Sequence, residues 1–336
     1  MLIIWILIFL FSLVLLVKSA DWFVESAEKI GLALKISPFI IGVTIVAIGT
    51  SFPEAASSLA GVLKGVTEIV TANAIGSNIF NILGIVGFSA VAARTLVVRR
   101  SLIDLDAPLL AVVTVLILFV AWDKQIVFGE GVLLICAFLV YLLYTIFQRR
   151  DDILTPELIE ILPEGTKIQV LPSRIERRGK EARKTPSKLN FKVFLYLVLG
   201  LVGMVVGSNY TIDSMIRISD ILKISPALIS IIALAAGTSL PELVVSVRAA
   251  SQKKYEIALG NIFGSNVFNA LMVVGLPALI KTLTVDDLTF RIGLPFLAVA
   301  TLLFVISGVS RRIHIWEGLM YLLLYVLFIM KLCGIF

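Results

Sequence analysis

The chain has 336 residues, 59% of them hydrophobic and only 15% charged, with a net charge of +6. A soluble domain carries about 25% charged residues, so this composition excludes a water-soluble protein and describes a polytopic membrane protein with room for roughly ten spans of about 20 residues. The excess of Lys and Arg fits cytoplasmic loops and argues against nucleic acid as a partner. Cys136 and Cys333 lie in apolar runs, which argues against a disulfide framework, and a lone histidine, His314, argues against histidine-built metal centres and serine–histidine catalysis.

The first apolar run, Met1 to Val17, has the look of a signal-peptide core, but no positive charge precedes it and a matching segment opens the second half of the chain. It is therefore read as the start of a first span, 2–30. Four more spans follow at 36–62, 68–92, 103–121 and 127–148. A polar stretch from 149 to 189 interrupts them. It is rich in Arg and Lys, contains Pro156, Pro163, Pro172 and Pro186, and is too short and polar to hold a core. Five further spans follow at 190–218, 225–250, 256–280, 289–308 and 313–335.

The expected architecture is thus all-α, with ten transmembrane helices: a first repeat over 1–148, a basic linker over 149–189 and a second repeat over 190–336. Placing the linker in the cytoplasm puts both termini outside. Lys29, Lys35, Arg94, Arg99 and Arg100 then fall inside, as do Arg248, Lys253, Lys254, Arg311 and Arg312. Trp5, Trp122 and Trp316 read as interface anchors.

The halves are copies. Ala47-Ile48-Gly49-Thr50-Ser51-Phe52-Pro53-Glu54 returns as Ala235-Ala236-Gly237-Thr238-Ser239-Leu240-Pro241-Glu242, at an offset of 188 from Glu54 to Glu242. The same offset carries Ile36-Ser37-Pro38 onto Ile224-Ser225-Pro226. It also carries Asn73, Gly76, Ser77, Asn78 and Asn81 onto Asn261, Gly264, Ser265, Asn266 and Asn269, and Asp21 and Glu25 onto Asn209 and Asp213. An odd number of spans per half inserts the two copies upside down relative to each other, the inverted-repeat plan of many secondary transporters.

Glu54 and Glu242 each place a carboxylate in an apolar span, at a cost of roughly 2.5–3.5 kcal/mol on the mildest scales. On this reading no Lys or Arg lies inside these spans to pair with them. Thr50, Ser51 and Glu54 share a helix face. Pro53 has no N–H for Gly49, so a kink is expected, with carbonyls released near Ala47 to Gly49. Irregular backbone at membrane depth belongs where it lines a polar cavity. Asn73, Ser77 and Asn81 add a polar stripe, and the second half repeats every element. All these ligands are oxygens, which suits hard cations such as Ca²⁺ and Na⁺ rather than Zn²⁺. Asn73 and Asn261 serve equally well as interhelical hydrogen-bonding groups. Glu25 suits an interfacial position, and Asp21 is a weaker candidate for an ion path.

The doubled Gly-Thr-Ser-x-Pro-Glu, each followed by Gly-Ser-Asn-x-x-Asn, resembles the two alpha-repeats of the sodium/calcium exchangers of the calcium:cation antiporter superfamily, prokaryotic type. The resemblance covers both halves and leaves out the linker. It implies ten helices in two inverted halves around central ion sites, and a first and sixth helix that slide as a gate. It makes Glu54 and Glu242 the acidic ligands, with Thr50, Ser51, Thr238, Ser239, Ser77, Ser265, Asn81 and Asn269 around them and carbonyls near Ala47 and Ala235 at Na⁺ sites. Some members, potassium-dependent exchangers among them, carry an aspartate where this chain has Asn269, so the resemblance speaks against K⁺ co-transport.

The expected function is antiport of Ca²⁺ against Na⁺ by alternating access in a monomer of the cell membrane, with no cofactor and with H⁺ as a competitor. A Ca²⁺/H⁺ antiporter using the same glutamates is the alternative. A channel needs a continuous path, and an intramembrane enzyme lacks paired aspartates and a suitable histidine.

Overall fold

A computed structural model describes residues 2–34, 36–98, 106–148, 190–222 and 238–335. The protein is an all-helical multi-pass membrane protein. Among the described residues seven helices are long and apolar enough to cross a membrane, and a bent pair, Pro38–Thr50 with Phe52–Leu63, makes an eighth candidate. The expected fourth span is a shorter helix of 14 residues, α7 (Ala107–Val120), entered through Pro108 in its first turn. The expected linker, 149–189, and the first half of the expected span 225–250 lie outside the described residues.

Two antiparallel helices stand to one side: α1 (Leu2–Ala33) and α9 (Phe191–Ile221). They bury little of their apolar windows, 17% and 22%, because most of their side chains suit lipid. What joins them is close packing. A Cβ at Gly200 would stand 2.8 Å from the backbone of Ser19 and Phe23, so glycine lets the two backbones meet. Farther along, Thr211 donates to the Ser12 hydroxyl at 3.0 Å, and Arg217 lies over the Trp5 ring.

The centre is built differently. Helix α5 (Glu68–Ile79) runs through a π-helical stretch, Phe80–Ile85, into α6 (Val86–Ala93). Its counterpart is α11 (Tyr255–Phe268), then a π-helical stretch at Asn269–Val273, then α12 (Val274–Ala278). These two composite helices are 83% and 94% buried. Small and polar residues fill them, which a lipid-facing helix would not need. The second helix of the first half starts at α2 (Pro38–Ile41), capped by Ser37, whose hydroxyl accepts from the Ile40 N–H. It continues through a π-helical stretch, Gly42–Val46, to α3 (Ala47–Thr50) and breaks at Ser51 before α4 (Phe52–Leu63), with a bend of 41°. In the second half the described part of this element is α10 (Leu240–Ser251).

The outer helices tie the halves together. Helix α8 (Phe128–Gln148) packs on α12, and α14 (Ile315–Leu332) packs on α6. Helix α13 (Leu294–Val309) meets α7, where Thr114 and Thr301 share a hydrogen bond of 3.1 Å. Two short antiparallel ribbons join one half to the other. In the first, β1 (Thr95–Val97) pairs with β4 (Arg312–His314), with Leu96 opposite Ile313. In the second, β2 (Gln125–Ile126) pairs with β3 (Leu283–Thr284), with Ile126 opposite Leu283.

Candidate ion-binding site

Proline sets the position of each glutamate. Pro53 is the second residue of α4 and Pro241 the second residue of α10, where a missing N–H costs the helix nothing. Glu54 and Glu242 follow in the first turn of those helices, beside unpaired N–H groups and the positive end of the helix dipole. Both are buried, at 0% and 1% exposure, so helix termini and neighbouring dipoles must replace water as their solvent.

The break falls one step later than the sequence suggests. The Ala47 carbonyl is not released: it accepts from the Ser51 N–H at 3.0 Å and from the Thr50 hydroxyl at 3.3 Å. Helix α3 completes its last bond to Ser51, and the bond that Pro53 cannot make belongs to Gly49. Ala235, the matching position in the second half, lies outside the described residues.

The serines before the prolines do not cap their own helices. Ser51 and Ser239 occupy the N-cap positions of α4 and α10, with glutamate three residues on, the pattern of a capping box. Neither side chain makes that bond. Ser51 donates instead to Glu242 Oε1 at 2.9 Å, and Ser239 donates to Glu54 Oε1 at 3.2 Å. Each half thus holds the other half's carboxylate. The second oxygen of each, Oε2, has no hydrogen-bond partner among the described residues. A buried carboxylate oxygen without a partner is expensive, and each half of the chain contributes one.

The threonines repeat the exchange one layer out. Thr50 donates to Asn261 Oδ1 at 3.2 Å, and Thr238 donates to Asn73 Oδ1 at 3.3 Å. Asn73 and Asn261 are therefore part of the assembly, although the sequence left a plain packing role equally open. The signal for them was their place in the repeat. Helix α11 reaches this position because Gly264 lies against the 38–50 helix: a Cβ there would come 2.5 Å from the Val43 carbonyl oxygen.

Asn81 and Asn269 lie at the π-helical stretches, both 0% exposed, and neither side-chain atom of either amide has a partner among the described residues. A π-helical turn re-aims side chains and is common at functional sites. Ser265 Oγ is buried and unpartnered too, and Ser77 is buried on α5. Nearby, Asn78 Nδ2 donates to the Asn266 carbonyl at 3.0 Å and links the two central helices. Among the described residues no three of His, Cys, Asp or Glu come together as a metal cluster. The donor set is two carboxylates with neutral hydroxyl and amide oxygens, a composition suited to hard cations.

Asp21 lies apart from this cluster. It accepts a forked pair of bonds from Arg248, Nε to Oδ1 at 2.8 Å and an Nη to Oδ2 at 2.7 Å. Arg248 is part of α10 and not of the following loop. Glu25 is exposed and faces Lys29 at 3.9 Å.

Comparison with known proteins finds relatives over nearly the whole chain. The profile of the sodium/calcium exchanger protein family matches residues 4–147 and 192–333. The chain is 31% identical to the sodium/calcium exchanger MaX1 of Methanosarcina acetivorans, over 97% of each sequence. It is 33% identical to the putative antiporter CaxA of Alkalimonas amylolytica, over 94% of this chain and 95% of that one. A solved structure of the sodium-calcium exchanger NCX_Mj, soaked with zero Na⁺ and Ca²⁺, superposes with a TM-score of 0.77 at 27% identity, covering 99% of this chain and 100% of that one.

Proposed function

The chain belongs to the sodium/calcium exchanger family, whose members are membrane antiporters and not enzymes, and on that premise we propose that it exchanges Na⁺ for Ca²⁺ at a single cage built from Glu54 and Glu242. The observation that carries this reading is the crossed hydrogen bonding of Ser51 with Glu242 and Ser239 with Glu54, which fixes one oxygen of each carboxylate and leaves Oε2 for cargo. Thr50, Thr238, Ser77, Ser265, Asn81 and Asn269 complete the oxygen set, with the Gly49 carbonyl, which Pro53 leaves without its helix bond, serving Na⁺ in place of that of Ala47.

Charge accounts for the coupling. Two carboxylates neutralise one Ca²⁺, and Na⁺ ions on the same oxygens do so in its place, so the two loads exclude each other. The unloaded cage holds two uncompensated carboxylates away from water, a state that resists crossing. Asn269 adds no third charge, so no K⁺ is needed for balance. Protons compete for the same carboxylate oxygens.

The scaffold we propose has ten spans as two inverted halves, 1–148 and 190–336, with the basic segment 149–189 in the cytoplasm, both termini outside and a monomer as the working unit. Its support is the pairing of residues 188 apart: Ser51 and Ser239 have matching partners, as do Thr50 and Thr238.

The test is Ca²⁺ uptake into vesicles carrying the purified chain, under imposed Na⁺, K⁺ or H⁺ gradients. Uptake driven by Na⁺ alone, lost in Glu54→Gln and in Glu242→Gln, is the expected result. Uptake driven by H⁺ without Na⁺ would assign the alternative coupling, and full uptake in either glutamine variant would remove the two-glutamate site.

A further inference from the structure

Alternating access requires one group of helices to move against another around a fixed site. Here α1 and α9 pack chiefly on each other and bury little of their surface, and α10 is the helix that carries Glu242. Contacts between that pair and α10 therefore bear directly on which side of the cage is closed. They are not only apolar. Asp21 of α1 takes the forked bonds from Arg248 of α10, and Gln252 adds a bond to Asp21 Oδ1 at 3.3 Å. About two turns farther along α1, Glu28 meets Lys254, just beyond the end of α10, at 2.6 Å. Asp21 is 15% exposed, and the fork fixes the guanidinium in one orientation, so this is more than a loose surface pair.

The repeat supplies an internal control. Shifted by 188 residues, Asp21 corresponds to Asn209 and Arg248 to Ala60, while Glu28 corresponds to Ile216 and Lys254 to Val66. Neither ion pair has a counterpart at the other end of the molecule. There Asn209 and Ala60 are both exposed, and so are Phe52 and Leu63 of α4. Helix α1 packs along α10, whereas the related helices α9 and α4 do not pack in this way. The duplication preserved the cage and not the fastening beside it.

We propose that Asp21–Arg248, supported by Glu28–Lys254, is a one-sided clasp that closes the Lys- and Arg-rich end of the exchanger. It biases the empty protein toward the state in which the opposite end is open. Asp21 and Arg248 are positioning residues, since neither touches the cage. This rests on the exchanger reading, because a clasp matters only where two access states interconvert.

The experiment uses the full chain in vesicles of defined orientation and reads half-saturating Ca²⁺ from each face. Asp21→Asn and Arg248→Gln each shift the ratio of the two values by about three- to fivefold, toward easier entry from the Lys- and Arg-rich face. The swapped double variant, Asp21→Arg with Arg248→Asp, brings the ratio back toward the parent value. A ratio that stays at the parent value in both single variants overturns the clasp. So does a double variant shifted as far as the singles, because packing rather than charge would then be responsible. If the parent chain carries no Ca²⁺ under any gradient, the exchanger reading fails instead. The clasp is then judged by hydrogen–deuterium exchange of residues 240–251, which Asp21→Asn accelerates and the swap restores. Exchange unchanged by Asp21→Asn overturns it in that case too.

Discussion

The two half-sites agree in the layer that faces the cage and differ in the layer behind it. Ser51 and Ser239 each hold the opposite glutamate, and Thr50 and Thr238 each hold the opposite asparagine. Behind them the match ends. Asn261 Nδ2 donates to Ser246 Oγ at 2.9 Å, yet Asn73 Nδ2 and Ser58 Oγ, the same two groups in the first half, have no partners among the described residues. A duplicated scaffold that must present one cage to two sides keeps its ligands equivalent. The supports behind them are free to diverge, and with them the ease of opening on each side.

The largest expected effect tests the equivalence itself. Glu54→Gln and Glu242→Gln keep shape and hydrogen-bonding capacity but each removes one of two charges, and the charge count of a site sets its Ca²⁺ affinity. Each weakens half-saturating Ca²⁺ by on the order of a hundredfold or more, measured as Na⁺-driven flux, while both variants stay folded by thermal unfolding in detergent. A large difference between the two would mean that the cage has one dominant glutamate and not a matched pair.

Next come the serines. Ser51→Ala removes a bond to Glu242, and Ser239→Ala removes one to Glu54. A hydrogen bond to a charged group contributes roughly 1.5 kcal/mol, or about tenfold in affinity. Ca²⁺ titration of the two variants is expected to give equal losses within about twofold. Retained affinity in both would show that the helix termini alone orient the carboxylates.

The threonine pair is where the halves begin to separate. Thr50→Val leaves Asn261 anchored by Ser246, but Thr238→Val leaves Asn73 with no side-chain anchor. A neutral bond contributes about 1 kcal/mol, so Thr238→Val lowers Ca²⁺ affinity by roughly fivefold and Thr50→Val by less. Ca²⁺ flux at subsaturating Ca²⁺ reads the order directly, and the reverse order would contradict the asymmetry seen in the hydrogen bonds.

Much of this was legible in the chain because the informative residues are expensive. A carboxylate, a proline and a glycine within one apolar span cannot be explained by lipid, and the second copy removed any accident. The partners of the serines were not legible. Ser51 and Glu54 satisfy a local capping pattern, and nothing within α4 says that the hydroxyl will serve Glu242 instead. The choice is tertiary, made only when the two helix ends meet. The fate of the Ala47 carbonyl was hidden for a related reason: proline marks which bond is missing, but the sequence does not say where the helix resumes. The partner of Asp21 was not legible because Arg248 reads as a loop residue, and only its place within α10 brings the two together.

The smallest effect isolates the layer behind the cage. Ser246 and Ser58 are equivalent by the repeat and both fully buried, but only Ser246 accepts a bond from its asparagine. Ser246→Ala strands the Asn261 amide and costs about 1 kcal/mol, a drop of a few degrees in the unfolding midpoint. Ser58→Ala removes a hydroxyl that has no partner, so its midpoint stays level or rises, because a buried unsatisfied group is itself a cost. Equal losses in the two variants would mean that Ser58 also carries a bond in the folded protein. The halves would then be alike through both layers, leaving the ion pairs at Asp21 and Glu28 as the asymmetry between the two ends.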